Sequence, residues 1–294
     1  MPIAPANGIS LCYDTVGSPP HPARLLVMGF TAQLTGWDDR FCRMLADGGR
    51  YVIRFDNRDC GLSTHFDGVT VDLPGVLAAW ESDGAMPAIP YSMSDFSNDA
   101  FALLDHLGIE KAHIVGASMG GMIVQAMAVE HPERVLTLTS IMSTTGERDF
   151  YKWDPETRAA MSTPPPSDRA GFVEHSVAIG RRLSSPRYFD AEAAARRSAA
   201  SYDRMFYPQG AARQTAAIRG SGHRAAGLRA LAVPTLVMHG QADTLILPLG
   251  GHRTAELVAG ANLMVFKDMG HDLPPQLWPL ITDAILSHTR HAIG

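Results

Sequence analysis

Cysteine is scarce in this sequence. Its 294 residues include three, Cys12, Cys42 and Cys60. They are spread out and lack C-x-x-C spacing, so neither a disulfide framework nor a zinc site is implied, and free thiols in a reducing, cytoplasmic compartment are expected. A basic block is also missing: 25 Lys and Arg are interspersed with 30 Asp and Glu for a net charge of −5. That balance offers no footprint for nucleic acid or a membrane surface. No apolar run approaches the length of a membrane span, and the opening MPIAPANGISLCYD has neither a basic n-region nor a continuous apolar h-region. HExxH, Cys/His clusters and Gly-rich phosphate loops are absent, so no metal or nucleotide is implied. There is no internal repeat or low-complexity tract. What remains, 46% hydrophobic and 19% charged, is a globular composition with length for one to two domains.

Along the chain, strand-like and helix-like stretches alternate. Ile9 to Thr15 reads as an edge strand, Ala23 to Phe30 (ARLLVMGF) as a buried one, and Trp37 to Ala46 as a helix stopped by Gly48-Gly49. Tyr51 to Phe55 is a short strand leading into DNRDCGLS, whose Asp56-Asn-Arg58 reads as a structural turn. From Ser94 to Leu107, apolar residues at Phe96, Ala100, Leu103, Leu104 and Leu107 recur in steps of three and four, behind a serine cap and ahead of Gly108. Ala112 to Gly116 is then a strand, Met119 to Glu130 a helix, and Val135 to Met142 a strand. Residues 145–229 hold no convincing strand, only Ala- and Arg-rich helical stretches broken by Thr163-Pro-Pro-Pro166 and Gly-rich turns. Alternation resumes with strand Pro234 to His239, helix Gly251 to Ala259, strand Asn262 to Phe266 and helix Leu277 to His288. This is an α/β pattern: a mostly parallel central sheet with helices on both faces. The expected organisation is a core over 1–144 and 230–294 with a helical cap over 145–229.

One stretch stands out. In HIVGASMGGMIVQ, Ser118 sits between Gly116 and Gly120, where a strand must turn sharply into a helix. Such a turn strains the serine, needs glycine on each side for close approach, and lifts the hydroxyl above the carboxyl edge of the sheet. It also points the N–H of Met119 at the helix opening, ready for a negative oxygen. A serine hydroxyl is a weak nucleophile without a base, and the base needs an orienting acid. Both should lie later in the chain, at strand ends, in the order Ser, Asp, His. Strand PTLVMH runs into Gly240-Gln-Ala-Asp243, and strand NLMVF runs into Lys-Asp-Met-Gly-His271. The candidate triad is therefore Ser118, Asp243 and His271. Asp268 and Asp272 flank the histidine, are too close in sequence to orient its far nitrogen, and are expected to be solvated. The second oxyanion donor is expected from the N–H of Phe30, after strand ARLLVMGF.

At these residues the chain resembles the α/β-hydrolase superfamily over nearly its whole length. GASMGG, GQAD and MGH match its nucleophile, acid and base motifs; DNRDCGLS is similar to its Asp-x-Arg-Gly-x-Gly-x-Ser loop, with Asp59 departing at the first glycine. LLVMGF departs from the commoner His-Gly opening. That Met-Gly form, with GWDDRFCRMLADGGRYVIRFDNRD and ILSHTR, looks like the aclacinomycin methylesterase group. The resemblance implies a cofactor-free serine carboxylesterase with a helical cap. The group's prototype removes a methyl ester from an anthracycline; Phe30 stands where that prototype carries a glycine, and the cap sequence differs.

The expected reaction is two-step acyl transfer on a small-molecule ester, with no nucleic-acid or membrane partner. Phe150, Tyr151, Trp153 and methionines of the cap are candidates for lining an apolar substrate pocket. Serine at the nucleophile disfavours the dehalogenase and epoxide-hydrolase chemistries run by a carboxylate on this fold. C–C bond hydrolysis, thioester hydrolysis and perhydrolysis use the same triad and stay open, as does a slow-turnover ligand receptor.

Overall fold

Strands buried on both faces read as continuous apolar runs rather than alternating ones, and the computed structural model places such runs at the centre of one sheet. It describes residues 1–151 and 154–290. The strands are β1 (Ile3–Ala6), β2 (Ile9–Val16), β3 (Ala23–Val27), β4 (Tyr51–Phe55), β5 (Ala112–Ala117), β6 (Val135–Ile141), β7 (Thr235–Gly240) and β8 (Asn262–Phe266). Their order across the sheet is β1-β2-β4-β3-β5-β6-β7-β8. β1 and β2 pair antiparallel, as do β2 and β4, and every pairing from β4 onward is parallel. Every residue of β3, β4, β5 and β7 is buried. Ile9 to Thr15 is thus not the edge: β1, a short strand with an exposed Ile3, covers it.

Helices cover the sheet. α1 (Asp39–Asp47) starts at Asp38, whose side chain accepts from the Arg40 N–H. α2 (Leu73–Ser82) is an element the sequence pattern does not announce. α3 (Met93–His106) opens on a reciprocal capping box between Ser92 and Asp95. α4 (Met119–Glu130) follows β5 directly. Leu25 and Val27 of β3 join the apolar cluster that includes Phe96, Leu103 and Ile123. Leu26 between them joins the opposite cluster, with Phe41 and Leu45 of α1. That alternation is what a two-sided sheet demands.

Between β6 and β7 the described residues form α5 (Pro155–Met161), α6 (Arg169–Leu183), α7 (Ala191–Arg204), α8 (Gly210–Gly220) and α9 (Ala225–Ala230), with no strand. Polar contacts hold this stretch to the loops after β3 and β4. Arg204 reaches Asp56 at 2.7 Å, and the Arg213 guanidinium spans both oxygens of Asp59 at 2.7 and 2.8 Å. Gln33 donates to the carbonyls of Ser201 and Met205. The chain closes with α10 (Leu249–Leu257), β8 and α11 (Trp278–His288), whose Trp278, Ile281 and Ile285 pack against the α1 side.

Candidate active site

Ser118 occupies the N-cap position of α4 with φ 58° and ψ −120°. That conformation costs a non-glycine residue about 1–3 kcal/mol and persists only if the surroundings enforce it. They do so: the Ser118 N–H donates to Ile141 O at 2.9 Å, and Ser143 Oγ donates to Ser118 O at 2.8 Å. A side chain at Gly120 would run into the Val27 carbonyl, and one at Gly116 into Gly120 itself. Serine at an N-cap ordinarily folds its hydroxyl onto the helix N–H groups. Ser118 makes no such bond. Its Oγ lies 2.9 Å from Nε2 of His271 instead.

His271 Nδ1 in turn lies 2.7 Å from Asp243 Oδ2. The imidazole is almost fully buried, and its backbone N–H donates to Leu183 O at the end of α6, at 2.6 Å. Asp243 is buried. Its Oδ1 accepts the N–H groups of Leu245 and Ile246, each at 2.9 Å. Burial opposes its charge, but the electrostatic interaction with His271 and the bonds from His239 and His271 outweigh it and lower the carboxyl to about 2. The structure thus brings Ser118, His271 and Asp243 into one hydrogen-bonded line, with the acid able to fix the imidazole tautomer that leaves Nε2 free to take a proton from Ser118.

His239 belongs to this line and is absent from the sequence argument. Fully buried on β7, it sets Nε2 2.8 Å from Ile246 O and 3.3 Å from Asp243 Oδ2. A polar residue closing the apolar strand PTLVMH was the available signal. Asp272 departs from expectation. It is half-buried rather than solvated, and its Oδ1 accepts the N–H groups of Ser185 and Gly270. Burial raises its carboxyl above the ordinary range. Asp268 pairs with Arg187 at 2.9 Å. Neither is bonded to the His271 ring.

Gly29 lies against the serine: a Cβ built on it would stand 3.0 Å from Ser118 Cβ. Phe30, next along the chain, is half-buried beside it. Met119 opens α4, so its N–H has no carbonyl one turn back to bond. Tyr151 and Trp80, set edge to face with each other, both contact the Arg219 guanidinium at 3.8 and 4.1 Å, and Phe150 lies 5.1 Å from that of Arg253. Trp153 lies outside the described residues. Among those residues no group of three His, Cys, Asp or Glu side chains is arranged to hold a metal ion.

A serine raised at a strand–helix turn, bonded to a histidine and an acid from later strand ends, is an arrangement found in one large family, and the model of the alpha/beta hydrolase fold matches residues 25–275. The chain belongs to the α/β hydrolase family. Rhodomycin D methylesterase DauP of Streptomyces sp. strain C5 is 27% identical to this α/β hydrolase over 97% of this chain and 96% of its own. 2-Hydroxymuconate semialdehyde hydrolase of Pseudomonas sp. strain CF600 is 34% identical over 62% of each chain. Among solved structures, a mutant of the meta-cleavage product hydrolase CumD from Pseudomonas fluorescens IP01, complexed with acetates, matches with a TM-score of 0.78 at 20% identity, covering 100% of this chain and 98% of that one. At that identity the match is one of fold. No helix among the described residues is long and apolar enough to cross a membrane.

Proposed function

We propose that this α/β hydrolase is a serine carboxylesterase acting on small to medium esters. The single observation that carries the reading is the unbroken line Ser118 Oγ–His271 Nε2 at 2.9 Å and His271 Nδ1–Asp243 Oδ2 at 2.7 Å. Ser118 is the nucleophile, His271 its base and Asp243 the residue that orients His271. In the first step His271 takes the Ser118 proton as Oγ attacks the ester carbonyl, and the N–H groups of Phe30 and Met119 receive the oxyanion. The tetrahedral intermediate collapses, the alcohol leaves with the proton from His271, and the acyl group stays on Oγ. Water then repeats the attack with His271 as base, releasing the acid and regenerating Ser118. Residues 145–229 act as a cap over a core of 1–144 and 230–294. A reducing, cytoplasmic setting fits the three free, buried cysteines.

The methylesterase relatives make methyl carboxylates the first substrates to try. A second reading, hydrolysis of a C–C bond by the same residues, has support in the 34% identity to the semialdehyde hydrolase. The test is turnover of p-nitrophenyl esters from C2 to C12, of methyl esters and of 2-hydroxymuconate semialdehyde, by wild type and Ser118→Ala. Multiple turnovers on the esters, lost by about 10⁴- to 10⁶-fold in Ser118→Ala, are the expected result. Activity that survives in Ser118→Ala sinks the nucleophile assignment. Faster turnover of the semialdehyde than of any ester favours the second reading. Ser118 labelled by a fluorophosphonate with no turnover of any of them points to a ligand receptor.

A further inference from the structure

The turn that carries Phe30 is held in a strained shape by a residue from the inserted helices. Ala32 N–H donates to Gly29 O at 3.2 Å, closing a four-residue turn in which Phe30 and Thr31 are central. Thr31 has φ 54°. A left-handed residue at the third position of a turn is ordinarily Gly or Asn, and a β-branched one is an outlier. Every peptide around it is pinned. Asn57 Nδ2 donates to Met28 O at 2.9 Å, Cys60 Sγ donates to Thr31 O at 3.3 Å, and Thr31 Oγ1 donates to Phe30 O at 2.8 Å. The remaining clamp is Gln214 of α8, fully buried. Its Oε1 accepts the Thr31 N–H at 2.8 Å, and its Nε2 donates to Arg58 O at 2.9 Å. A donor on one side and an acceptor on the other leave the amide one orientation. Gly29 O and Phe30 N–H share one peptide unit, and among the described residues that N–H has no partner.

We infer that Gln214 is a positioning residue for the oxyanion donor: by holding the Phe30–Thr31 peptide it keeps Thr31 left-handed and so fixes the aim of the Phe30 N–H. The inference rests on the esterase reading above, in which that N–H receives the oxyanion. Without Gln214, rotation of the Phe30–Thr31 peptide lets Thr31 relax to negative φ, and the neighbouring Gly29–Phe30 peptide loses its fixed direction. The oxyanion arm is therefore complete only when α8 is docked, so the inserted helices take part in aligning the chemistry as well as covering it.

The test uses Gln214→Met, which keeps side-chain length without the amide, and Gln214→Glu, which keeps an acceptor for the Thr31 N–H. Steady-state kinetics on p-nitrophenyl butyrate are read with inhibition by phenylboronic acid, whose Ser118 adduct places a negative oxygen where the tetrahedral intermediate has one. Deleting a whole oxyanion donor costs about 10²- to 10³-fold in kcat, so misaiming one is expected to cost about 10- to 100-fold in Gln214→Met. KM should stay within about twofold and boronate affinity should fall in parallel with kcat. Gln214→Glu should lie nearer wild type. Adding Thr31→Gly to Gln214→Met should restore much of the loss, because glycine takes positive φ without strain. A folded Gln214→Met with kcat within about threefold of wild type overturns the inference. So does a loss carried by KM alone, or one that Thr31→Gly fails to relieve. If Gln214→Met does not fold, Gln214→Glu decides: a folded variant with kcat more than about tenfold below wild type overturns it, and one within about tenfold supports it. Ser118→Ala separates the two readings. If it is inactive while Gln214→Met matches wild type, only this inference falls; if it stays active, the esterase reading falls with it.

Discussion

Asp243 holds a charge in a place that disfavours one. Its two oxygens are met by N–H groups from Leu245 and Ile246 on one side and by His271 and His239 on the other. Its carboxyl sits near 2 in the folded protein against an ordinary 3.8. A depressed carboxyl stabilises the fold fully above its unfolded value, and that contribution is lost as pH falls from about 4 towards about 2. Asp243→Asn presents an N–H₂ or a weaker acceptor to His271 and no longer enforces the tautomer. A fall in kcat of about 10³- to 10⁴-fold with little change in KM is expected from initial-rate kinetics. His239→Phe removes a donor from both Asp243 and Ile246 O. Because one partner is charged, about 2 kcal/mol of stability should be lost in urea titration, with kcat reduced less than by Asp243→Asn.

At the scale of elements, the inserted helices are joined to the sheet by buried ion pairs. Arg213 and Asp59 are both buried, and Tyr91 Oη adds a third hydrogen bond to Asp59 at 2.6 Å. Burial works against the Asp59 charge, but bonds from Arg213 and Tyr91 hold the carboxyl below its ordinary value. Arg213→Met strands that carboxylate and should cost about 3–5 kcal/mol, whereas Arg213→Met with Asp59→Asn should regain part of it; thermal melts of the two variants and wild type decide. These pairs were not legible in the sequence. Arg213 and Asp59 lie 154 positions apart, and an Arg on a helix otherwise reads as a solvated face. The apolar strands and the loops after them were legible, because burial on both faces leaves an unbroken apolar run. That is why Ser118, Asp243 and His271 could be located at strand ends. β1 escaped because four residues with a proline and an exposed isoleucine carry no period. α2 escaped because its first turn reads Leu-Pro-Gly, which looks like a turn. Gln214 acts on Thr31 and Arg58, 183 and 156 positions away, and nothing local to it reports that; His239 bonds only four and seven residues on, and its one signal is a polar residue closing an apolar strand.

Across the whole molecule, the ends of the central strands away from the site bury basic groups. Arg24 and His113 are buried on adjacent strands, and Arg24 Nη2 donates to Thr289 Oγ1 at 2.8 Å. Burial, then the charges of Arg24, Arg50 and His288, lower His113 from 6.5 to about 3. Its Nδ1 lies 3.0 Å from Thr137 Oγ1. A base held neutral in the fold and protonated in the unfolded chain makes the unfolded state the better proton binder between those values. Stability is full above pH 6.5 and falls as the solution is acidified towards 3. At 1.36 kcal/mol per unit, wild type should lose about 2 kcal/mol between pH 6.5 and pH 5 through this group. His113→Gln keeps a partner for Thr137 and should flatten that slope in urea melts at pH 7 and pH 5; an unchanged slope removes His113 as its source.

The serine and the histidine meet across 153 residues of chain, with the inserted helices between them. A ribosome delivers these residues in sequence. A growing chain paused within the insertion carries Ser118, but neither Asp243 nor His271 has yet been made. On the proposed reading such a chain lacks the base for its nucleophile and should hydrolyse no ester. On that reading activity waits for β7 and β8, because the loops after them carry Asp243 and His271.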